Sequence, residues 1–408
     1  MAPDPGLSRT RISRAPFLRL FPGARAGKHR GLSAAAYRSP VHRPAIPLIL
    51  PAMHIRVLPL VLILSAAAAM AQPTTTTPQP VWVLQDSGST ASLRGIDSVD
   101  GKVAWASGSE GTVLKTTDGG AHWQKCAVPD GDKDGASLDF RGVQAWDADT
   151  AIVLASGPGD KSRLYKTTDG CKTWNLLFKN PDKDGFWDSV SVADQQNLMI
   201  LGDPVNGEFS IFISADGGKT WDRTHEPGLR SNLKEGAFAA SNSSLAADWV
   251  DGYVAFGTGG PSGARLFREC ETCKSGAKWI PSPISSFPKV EAAGIFAVEL
   301  RDWRRWAAVG GDYTKPNAPT GTAAWSNDSG KTWTASTIPP HGYRSTVQWS
   351  QSEKLWITAG TNGSDISRDD GRTWQPLDNG NWNALSLPFI VGPKGRIARL
   401  NPSAIPKP

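Results

Sequence analysis

Short apolar runs recur from about residue 80 to about residue 400, and glycine or aspartate interrupts them. Within one unit, residues 140–146, 151–157 and 163–168 are three such runs, and a fourth, 174–178, follows a polar turn. Alternating or β-branched runs of this length, bounded by glycine and aspartate, predict strands joined by hairpins. Each unit is therefore predicted to be a four-stranded antiparallel sheet.

The same order of runs repeats along the chain. The first strands of six units are predicted at 93–99, 140–146, 187–192, 236–241, 293–300 and 345–350. A single sheet cannot bury both of its faces, whereas sheets stacked around an axis can, so the pattern predicts a β-propeller.

A polar turn of the form Ser/Thr-x-Asp-x-Gly-x-Thr-Trp precedes the fourth strand in five units. Its aspartate and tryptophan are Asp118 and Trp123, Asp169 and Trp174, Asp216 and Trp221, Asp328 and Trp333, and Asp369 and Trp374. Successive tryptophans are 51, 47, 112 and 41 residues apart, and the long gap predicts a degenerate copy ending at Trp279. We expect the aspartate to accept backbone N–H groups of its own turn and the tryptophan to pack between sheets, which is a structural role.

Residues 381–400 are predicted to form three further strands that no such turn follows. Residues 80–86 resemble the fourth strand of a blade but precede the first complete unit. Pairing the two predicts a seventh blade whose outermost strand comes from the N-terminal side, which closes the ring and removes an exposed edge. Seven blades give about 48 residues each after residue 71, close to known propeller repeat lengths.

The N-terminal segment has a different character. Residues 53–71 combine a short basic region, an apolar run too short to span a membrane, and a small-residue cleavage site, which is typical of a secretory signal peptide. We predict cleavage after Ala71, a single propeller domain over 72–408, and a periplasmic or secreted protein. Residues 1–52 are interpreted as unstructured sequence translated from upstream of the true start, the alternative being a genuine N-terminal extension.

Removal of residues 1–71 changes the charge. The whole chain has a formal net charge of +6, but ten basic residues and one acidic residue lie in this segment. The remaining 34 basic and 37 acidic residues argue against a nucleic-acid partner.

The polar turns resemble the Asp-box, or BNR, repeats of sialidases and related propellers. The order of runs, the Arg-Gly pairs at 94–95 and 141–142, and the seven-blade length resemble the photosystem II assembly and stability factors and their non-photosynthetic bacterial relatives. The resemblance implies an all-β, seven-bladed propeller of four-stranded antiparallel blades. It leaves function open, because Asp boxes occur in glycosidases, binding proteins and assembly factors alike. No dinucleotide fingerprint is present, so we expect no cofactor.

In a propeller, the loops between second and third strands share a face with the starts of the first strands, and the Asp boxes lie on the other face. Candidate ligand-binding residues on the first face are Arg94, Arg141, Asp312, Tyr313, Lys315, His341, Tyr343 and Arg344. One interpretation is a polar site for a carboxylate, glycan or peptide, with Arg94, Arg141 and Arg344 as anion contacts. The other is a ring of ion pairs that ties the blades together.

The candidate residues on this face suggest two alternative functions. The first is an exported, monomeric binding or assembly module with a protein or glycan partner in the cell envelope. The second is a glycoside hydrolase, for which two carboxylates must flank the scissile bond. Catalytic candidates for this alternative are Asp188, Asp203, Glu235, Glu291, Asp312 and Tyr343. The Phe-Arg-Ile-Pro motif that opens sialidase domains is absent, so we favour the binding module.

The four cysteines are expected to form disulfides, because an exported protein meets oxidising conditions. Cys126 and Cys171 lie on the same face of adjacent predicted blades, and Cys270 and Cys273 would close a short loop. A second Cys-x-x-Cys pair, which a zinc site would need, is missing, and no metal is expected. Aspartates at 130–134 imitate the start of a calcium loop, but Arg141 stands where such a loop needs glutamate, so a solvated turn is the favoured interpretation and bound Ca²⁺ the alternative.

Overall fold

The computed structural model describes residues 79–269 and 278–407. These residues form seven four-stranded antiparallel sheets. The strands of each blade are given from the innermost to the outermost. Blade 1 contains β2 (Leu93–Ser98), β3 (Ala104–Gly108), β4 (Val113–Thr116) and β5 (Gln124–Lys125). Blade 2 contains β6 (Phe140–Ala145), β7 (Ala151–Ala155), β8 (Arg163–Thr167) and β9 (Asn175–Lys179), and blade 3 contains β10 (Trp187–Val192), β11 (Leu198–Val205), β12 (Glu208–Ser214) and β13 (Asp222–Thr224).

Blades 4 to 6 follow the same order. Blade 4 contains β14 (Leu245–Asp248), β15 (Tyr253–Gly257), β16 (Ala264–Glu269) and β17 (Trp279–Ile284). Blade 5 contains β18 (Ala293–Leu300), β19 (Trp306–Asp312), β20 (Ala323–Ser326) and β21 (Thr334–Ala335). Blade 6 contains β22 (Thr346–Ser350), β23 (Leu355–Gly360), β24 (Gly363–Ser367) and β25 (Gln375–Asp378). Four single-turn 3-10 helices lie in loops, at Gly135–Ser137, Gly159–Lys161, Pro227–Leu229 and Pro402–Ala404.

The seventh blade joins the two ends of the described chain. It contains β26 (Ala384–Ser386), β27 (Phe389–Val391) and β28 (Ile397–Leu400), and β1 (Trp82–Gln85) pairs antiparallel with β28 as its outermost strand. Trp82 is 5 % exposed, packs against Trp382, and donates its indole N–H to the Ser364 hydroxyl in blade 6 at 3.0 Å. The predicted seven-bladed ring and its closure by the N-terminal strand are both confirmed.

The hydrophobic core lies between blades. Leu93 and Leu114 of blade 1, for example, pack with Phe389 and Ile397 of blade 7 in one buried cluster. The box tryptophans extend these contacts: Trp221 of blade 3 stacks on Phe178 of blade 2 with ring centroids 4.8 Å apart. Each blade therefore buries its faces only because it has a neighbour on either side.

The Asp-box turns are held by short local hydrogen bonds. In blade 3, the Asp216 carboxylate accepts the backbone N–H and the hydroxyl of Thr220, at 2.9 and 2.7 Å, and the Ser214 hydroxyl at 2.9 Å. These bonds lower the pKa of Asp216 to about 2. The side chain thus fastens its own hairpin.

A disulfide joins Cys126, just after β5, to Cys171 in the box of blade 2, with their Cα atoms 5.3 Å apart. It lies between adjacent blades on the box face. The predicted Cys270–Cys273 pair falls outside the described residues, as do the segments 1–52 and 53–71.

One predicted strand is wrong. Residues 236–241 were expected to be the first strand of blade 4, but that strand is Leu245–Asp248. The stretch 236–244, here called the axial segment, instead runs between the first strands of other blades. Its run of small residues lacks the β-branched side chains of a stable strand.

Hydrogen bonds from distant blades hold the axial segment. Arg141 of blade 2 donates to the Ala239 carbonyl at 3.1 Å, and the Ser241 hydroxyl donates to the Ser345 carbonyl beside blade 6 at 2.6 Å. Asn242 accepts the Val190 N–H of blade 3 at 2.8 Å. The segment thereby satisfies its polar groups without pairing as a strand.

Ring closure can be tested at Trp82. Trp82→Ala should lower the free energy of unfolding by about 3–5 kcal/mol, because it removes a buried indole and its hydrogen bond to blade 6. The control is Leu84→Ala on the same strand, where the side chain is 61 % exposed and little change is expected. Urea unfolding followed by circular dichroism measures both, and equal stability of the two variants would contradict this role for β1.

Candidate functional site

A cavity of about 500 Å³ opens at the centre of the ring on the face away from the Asp boxes, and we call it the funnel. Residues from six blades and from the axial segment line it: Arg94, Arg141, Phe186, Asp188, Asp203, Ala237, Phe238, Ala239, Ala240, Glu291, Phe296, Tyr313, Tyr343, Ser345, Thr361 and Asn383. A shallower groove of about 860 Å³ adjoins it and shares Phe186, Asp203, Ala237, Phe238 and Glu291.

Four funnel side chains occupy the same kind of backbone position. Arg94, Arg141, Asp188 and Phe296 each lie where the first strand of their blade shifts register against the second strand. Such a β-bulge leaves one residue out of the pairing and redirects its side chain, here into the funnel. The bulge therefore turns one position of a repeated strand into a ligand-facing position.

The Arg-Gly pairs now have a physical explanation. A Cβ atom at Gly95 would lie 2.6 Å from the Ser107 hydroxyl, and one at Gly142 would lie 2.7 Å from Asn242 Oδ1. The bulged arginine is therefore followed by a residue without a side chain, because the next element approaches closely.

The basic part of the funnel comes from blades 1 and 2. Asp139 Oδ2 accepts from Arg141 Nε at 2.8 Å and lies 4.0 Å from Arg94 Nη2. Arg94 Nε is buried without a hydrogen-bond partner among the described residues. Burial lowers the pKa of Arg94, and the nearby Asp139 carboxylate opposes that shift. Two guanidinium groups that share one carboxylate can accept an anionic ligand group.

The acidic part belongs to blade 3. Asp188, on β10, is 1 % exposed, and its Oδ2 has no hydrogen-bond partner within the described residues. Asp203, at the end of β11 that faces the funnel, accepts the Ala237 N–H at 2.9 Å. Burial raises the pKa of Asp203 to about 6, and burial together with the Asp203 charge raises the pKa of Asp188 well above its usual range.

An aromatic wall faces these charges. Phe238 of the axial segment stacks on Phe296 with ring centroids 3.8 Å apart, and Phe296 contacts Tyr343 at 4.8 Å. Tyr313 stands at the rim with 53 % of its surface exposed. Burial raises the pKa of Tyr343, which keeps its phenol protonated. The wall gives a ligand apolar surface beside the charged groups.

Several predicted candidates lie elsewhere. Arg344 is fully buried and donates its Nε–H to Asp365 at 2.6 Å, and His341 contacts the same carboxylate at 2.8 Å. Glu235 accepts from Arg265 Nε at 2.8 Å and lines the adjoining groove rather than the funnel itself. These groups form ion pairs, but the Arg344–Asp365 pair lies within blade 6 and does not join one blade to the next.

Asp312 and Lys315 are also absent from the funnel wall. The Asp312 carboxylate accepts the Thr314 hydroxyl at 2.6 Å within its own turn, and Lys315 Nζ lies 3.7 Å from it. The predicted residues that the structure brings together are Arg94, Arg141, Asp188, Asp203, Glu291, Tyr313 and Tyr343.

The sequence interpretation missed the aromatic residues Phe186, Phe238 and Phe296. Phe296 had a detectable signal, because it occupies the register of Arg94 and Arg141 in its own blade. Phe238 had none, because the axial segment was taken for an ordinary strand.

A metal site was considered from the sequence at the aspartates of residues 130–134. There, Asp134 accepts from Lys161 Nζ at 2.6 Å and Arg163 Nη1 at 2.7 Å, so protein cations occupy its oxygens. Within 79–269 and 278–407, no three His, Cys, Asp or Glu side chains come together as metal ligands.

Comparison with known proteins points to the same architecture. Residues 212–223 match the BNR/Asp-box repeat family. The photosystem II assembly lipoprotein Ycf48 of Synechococcus sp. (strain CC9902) is 21 % identical over 338 residues, which cover 78 % of this chain and 87 % of the relative.

Two solved structures share the fold. YCF48 bound to a D1 peptide superposes with a TM-score of 0.56 at 16 % identity, covering 79 % of this chain and 97 % of that one. YCF48 from Cyanidioschyzon merolae gives a TM-score of 0.56 at 18 % identity, covering 79 % and 99 %. The chain is thus an Asp-box seven-bladed propeller similar to these photosystem II assembly proteins.

The electrostatics of blade 3 lead to a test of stability. The folded protein holds a proton on Asp203 up to about pH 6, whereas an unfolded aspartate releases it near pH 4, so stability falls between these values and remains lower above them. Asp203→Asn keeps an acceptor for the Ala237 N–H and removes the charge. It should raise the free energy of unfolding by about 2–3 kcal/mol at pH 8, since one pKa unit is about 1.4 kcal/mol.

The same substitution should have no effect near pH 4, where Asp203 is protonated in the folded protein. Urea unfolding at both pH values measures the difference, and Asp222→Asn, on the exposed outer strand of the same blade, is the matched control. A variant no more stable than the natural protein at pH 8 would refute the buried charge at Asp203.

Proposed function

We propose that this Asp-box propeller is an exported binding or assembly module that holds a segment of a protein partner in the funnel. The observation that carries the proposal is the convergence of two arginines, two aspartates and an aromatic wall in one cavity. Polar groups buried there without partners are costly in the free protein, and a bound ligand would satisfy them.

The similar proteins favour a polypeptide as the ligand. The Synechococcus relative is named an assembly lipoprotein, and one solved relative is described as bound to a D1 peptide. A peptide offers carboxylates or carbonyls to Arg94 and Arg141 and apolar side chains to the aromatic wall. A glycan of the cell envelope would meet the same groups and remains the second ligand class to test.

Export is supported by residues 53–71, whose pattern is that of a signal peptide. The part of the chain that the structure describes contains no helix long and apolar enough to cross a membrane. We place the module in the periplasm or outside the cell, where it would meet envelope proteins.

Glycoside hydrolysis is less well supported. It needs one carboxylate on each side of a scissile bond, with one of them protonated. Asp188 and Asp203 lie together on the wall of blade 3, rather than on opposite sides of a ligand, and the Asp203 charge raises the pKa of Asp188. We therefore favour binding over catalysis.

Photo-crosslinking tests the proposal. A photoreactive residue placed at Tyr313, on the funnel rim, should give a discrete protein adduct in the exporting cell. The same residue placed at Trp303, which is exposed on the box face, should not give that adduct. Mass spectrometry of the adduct identifies the partner.

The dependence on the funnel is measured with the double variant Arg94→Gln/Arg141→Gln. It should reduce the Tyr313 adduct at least about ten-fold, since each charged hydrogen bond contributes about 1.5–3 kcal/mol. Arg368→Gln, an exposed arginine outside the funnel, should leave the adduct unchanged. Turnover of a fluorogenic glycoside that Asp203→Asn abolishes would overturn the binding function in favour of the hydrolase.

A further inference from the structure

Two carboxylates of the funnel form no ion pair with the described residues. Neither Asp188 nor Asp203 has a Lys, Arg or His nitrogen within 4.0 Å in the described part of the chain. Asp188 Oδ2 also lacks any hydrogen-bond partner there. Both side chains line the funnel, and Glu291, a third carboxylate, stands exposed at its margin.

Some other carboxylates of this ring have a cation beside them: Asp365 is paired with Arg344, Glu235 with Arg265, and the half-buried Asp182 with Arg223 at 2.6 Å. Asp97 and Glu299, on the box side, also lack an ion pair among the described residues, but each accepts a backbone N–H from the next blade. Asp188 Oδ2 has neither kind of partner there. Burying a carboxylate is costly unless a cation or several hydrogen-bond donors accompany it. Asp188 and Asp203 on blade 3 therefore lack a neighbouring cation, as Asp365 would if Arg344 were absent.

Arg141 is the protein cation whose charge lowers the pKa of Asp188. Two of its donor groups bind elsewhere, however, because Nε binds Asp139 and Nη1 binds the Ala239 carbonyl. These bonds hold the guanidinium on the basic side of the funnel. Lys234 lines the adjoining groove with Asp203, but its nitrogen is not within 4.0 Å of a funnel carboxylate in the described structure. We therefore infer that the space in front of Asp203 can take a cation from outside.

We propose that the blade 3 wall of the funnel is a subsite for the ammonium or guanidinium group of a lysine or arginine side chain of the bound polypeptide. This inference rests on the proposed function and specifies the chemistry of its ligand. Asp203 supplies the accessible charge, and Asp188 lies behind it. The half-buried rings of Phe186 and Phe238 flank the subsite and offer π-faces to a cation and contact to its alkyl stem.

The ligand would then meet both signs of charge. A basic side chain at Asp203 and an acidic group at Arg94 and Arg141 would be recognised on neighbouring walls. A segment with only one of the two would leave the other wall desolvated and without a partner, which costs affinity. The funnel therefore selects for segments in which acidic and basic groups are close together.

Proton release distinguishes this subsite from a merely structural acid pair. The raised pKa of Asp203 means that Asp203 itself is protonated below about pH 6, and a bound cation favours the loss of this proton. Affinity for the cation should therefore rise as the pH increases from about 5 to about 7.5, and binding near pH 6 should release protons into the buffer.

The probes are Nα-acetyl-lysine N-methylamide and its norleucine counterpart, which differ in the ammonium group. Isothermal titration calorimetry of the mature protein should show the lysine compound binding at least about ten-fold more tightly at pH 7.5, and less tightly at pH 5. Titrations near pH 6 in two buffers of different ionisation enthalpy measure the released protons.

Variants locate the effect. Asp203→Asn and Asp188→Asn should each remove the preference for lysine and the proton release, whereas Asp222→Asn on the outer strand should retain both. Circular dichroism and unfolding curves establish that the variants are folded, and loss of the negative charge is expected to stabilise them.

Equal binding of the two probes, or an unchanged lysine preference in Asp203→Asn, would overturn the cation subsite. So would tight binding of Ca²⁺ or Mn²⁺ that lysine does not displace, since the carboxylates would then serve a metal. Crosslinking at Tyr313 separates the two proposals: an adduct that depends on Arg94 and Arg141 but not on Asp203 leaves the binding function standing without this subsite.

Discussion

Antiparallel pairing of β1 with β28 is the constraint on which the ring depends, because it builds one blade from strands at both ends of the described chain. Around the same ring, side chains at the box-side ends of first strands accept N–H groups from the next blade. Asp97 accepts from Ala145 at 2.7 Å, and Gln348 accepts from Leu387 at 2.7 Å. In a closed ring, each blade buries both of its faces and each of these side chains has a backbone N–H in the next blade. An open ring would expose one face of the first blade and one face of the last blade to solvent.

The closed ring also explains how a repeated scaffold acquires one specific site. The first strand of each blade is its innermost strand, so a single bulge in blades 1, 2, 3 and 5 is enough to project Arg94, Arg141, Asp188 and Phe296 into a common space. The axial segment then forms the floor of that space. Fold stability and ligand chemistry are thus separated, since the boxes fasten one face while the bulges and the axial segment shape the other.

Electrostatic pairing distinguishes structure from function among the polar residues. Arg344 and Asp365 complete one another in the interior and tie adjacent elements. Arg94 Nε and Asp188 Oδ2 are buried in the described structure without such completion, on neighbouring walls of one cavity. Incomplete pairs of this kind are unfavourable in the free protein and favourable for binding, because a ligand can supply the missing partner.

The repeat spacing determined by itself the number of blades, the position of the Asp boxes and the closing strand, because each blade needs the same hairpin chemistry at the same place. It also placed Arg94, Arg141, Asp188 and Asp203 on the correct face. Only the tertiary structure decided that residues 236–244 leave their blade, since contacts from blades 2, 3 and 6 outweigh local strand pairing there. It also decided how completely each charge is paired: Asp365 accepts the Arg344 Nε–H at 2.6 Å, whereas Asp139 comes only within 4.0 Å of Arg94 and leaves Arg94 Nε without a hydrogen-bond partner among the described residues.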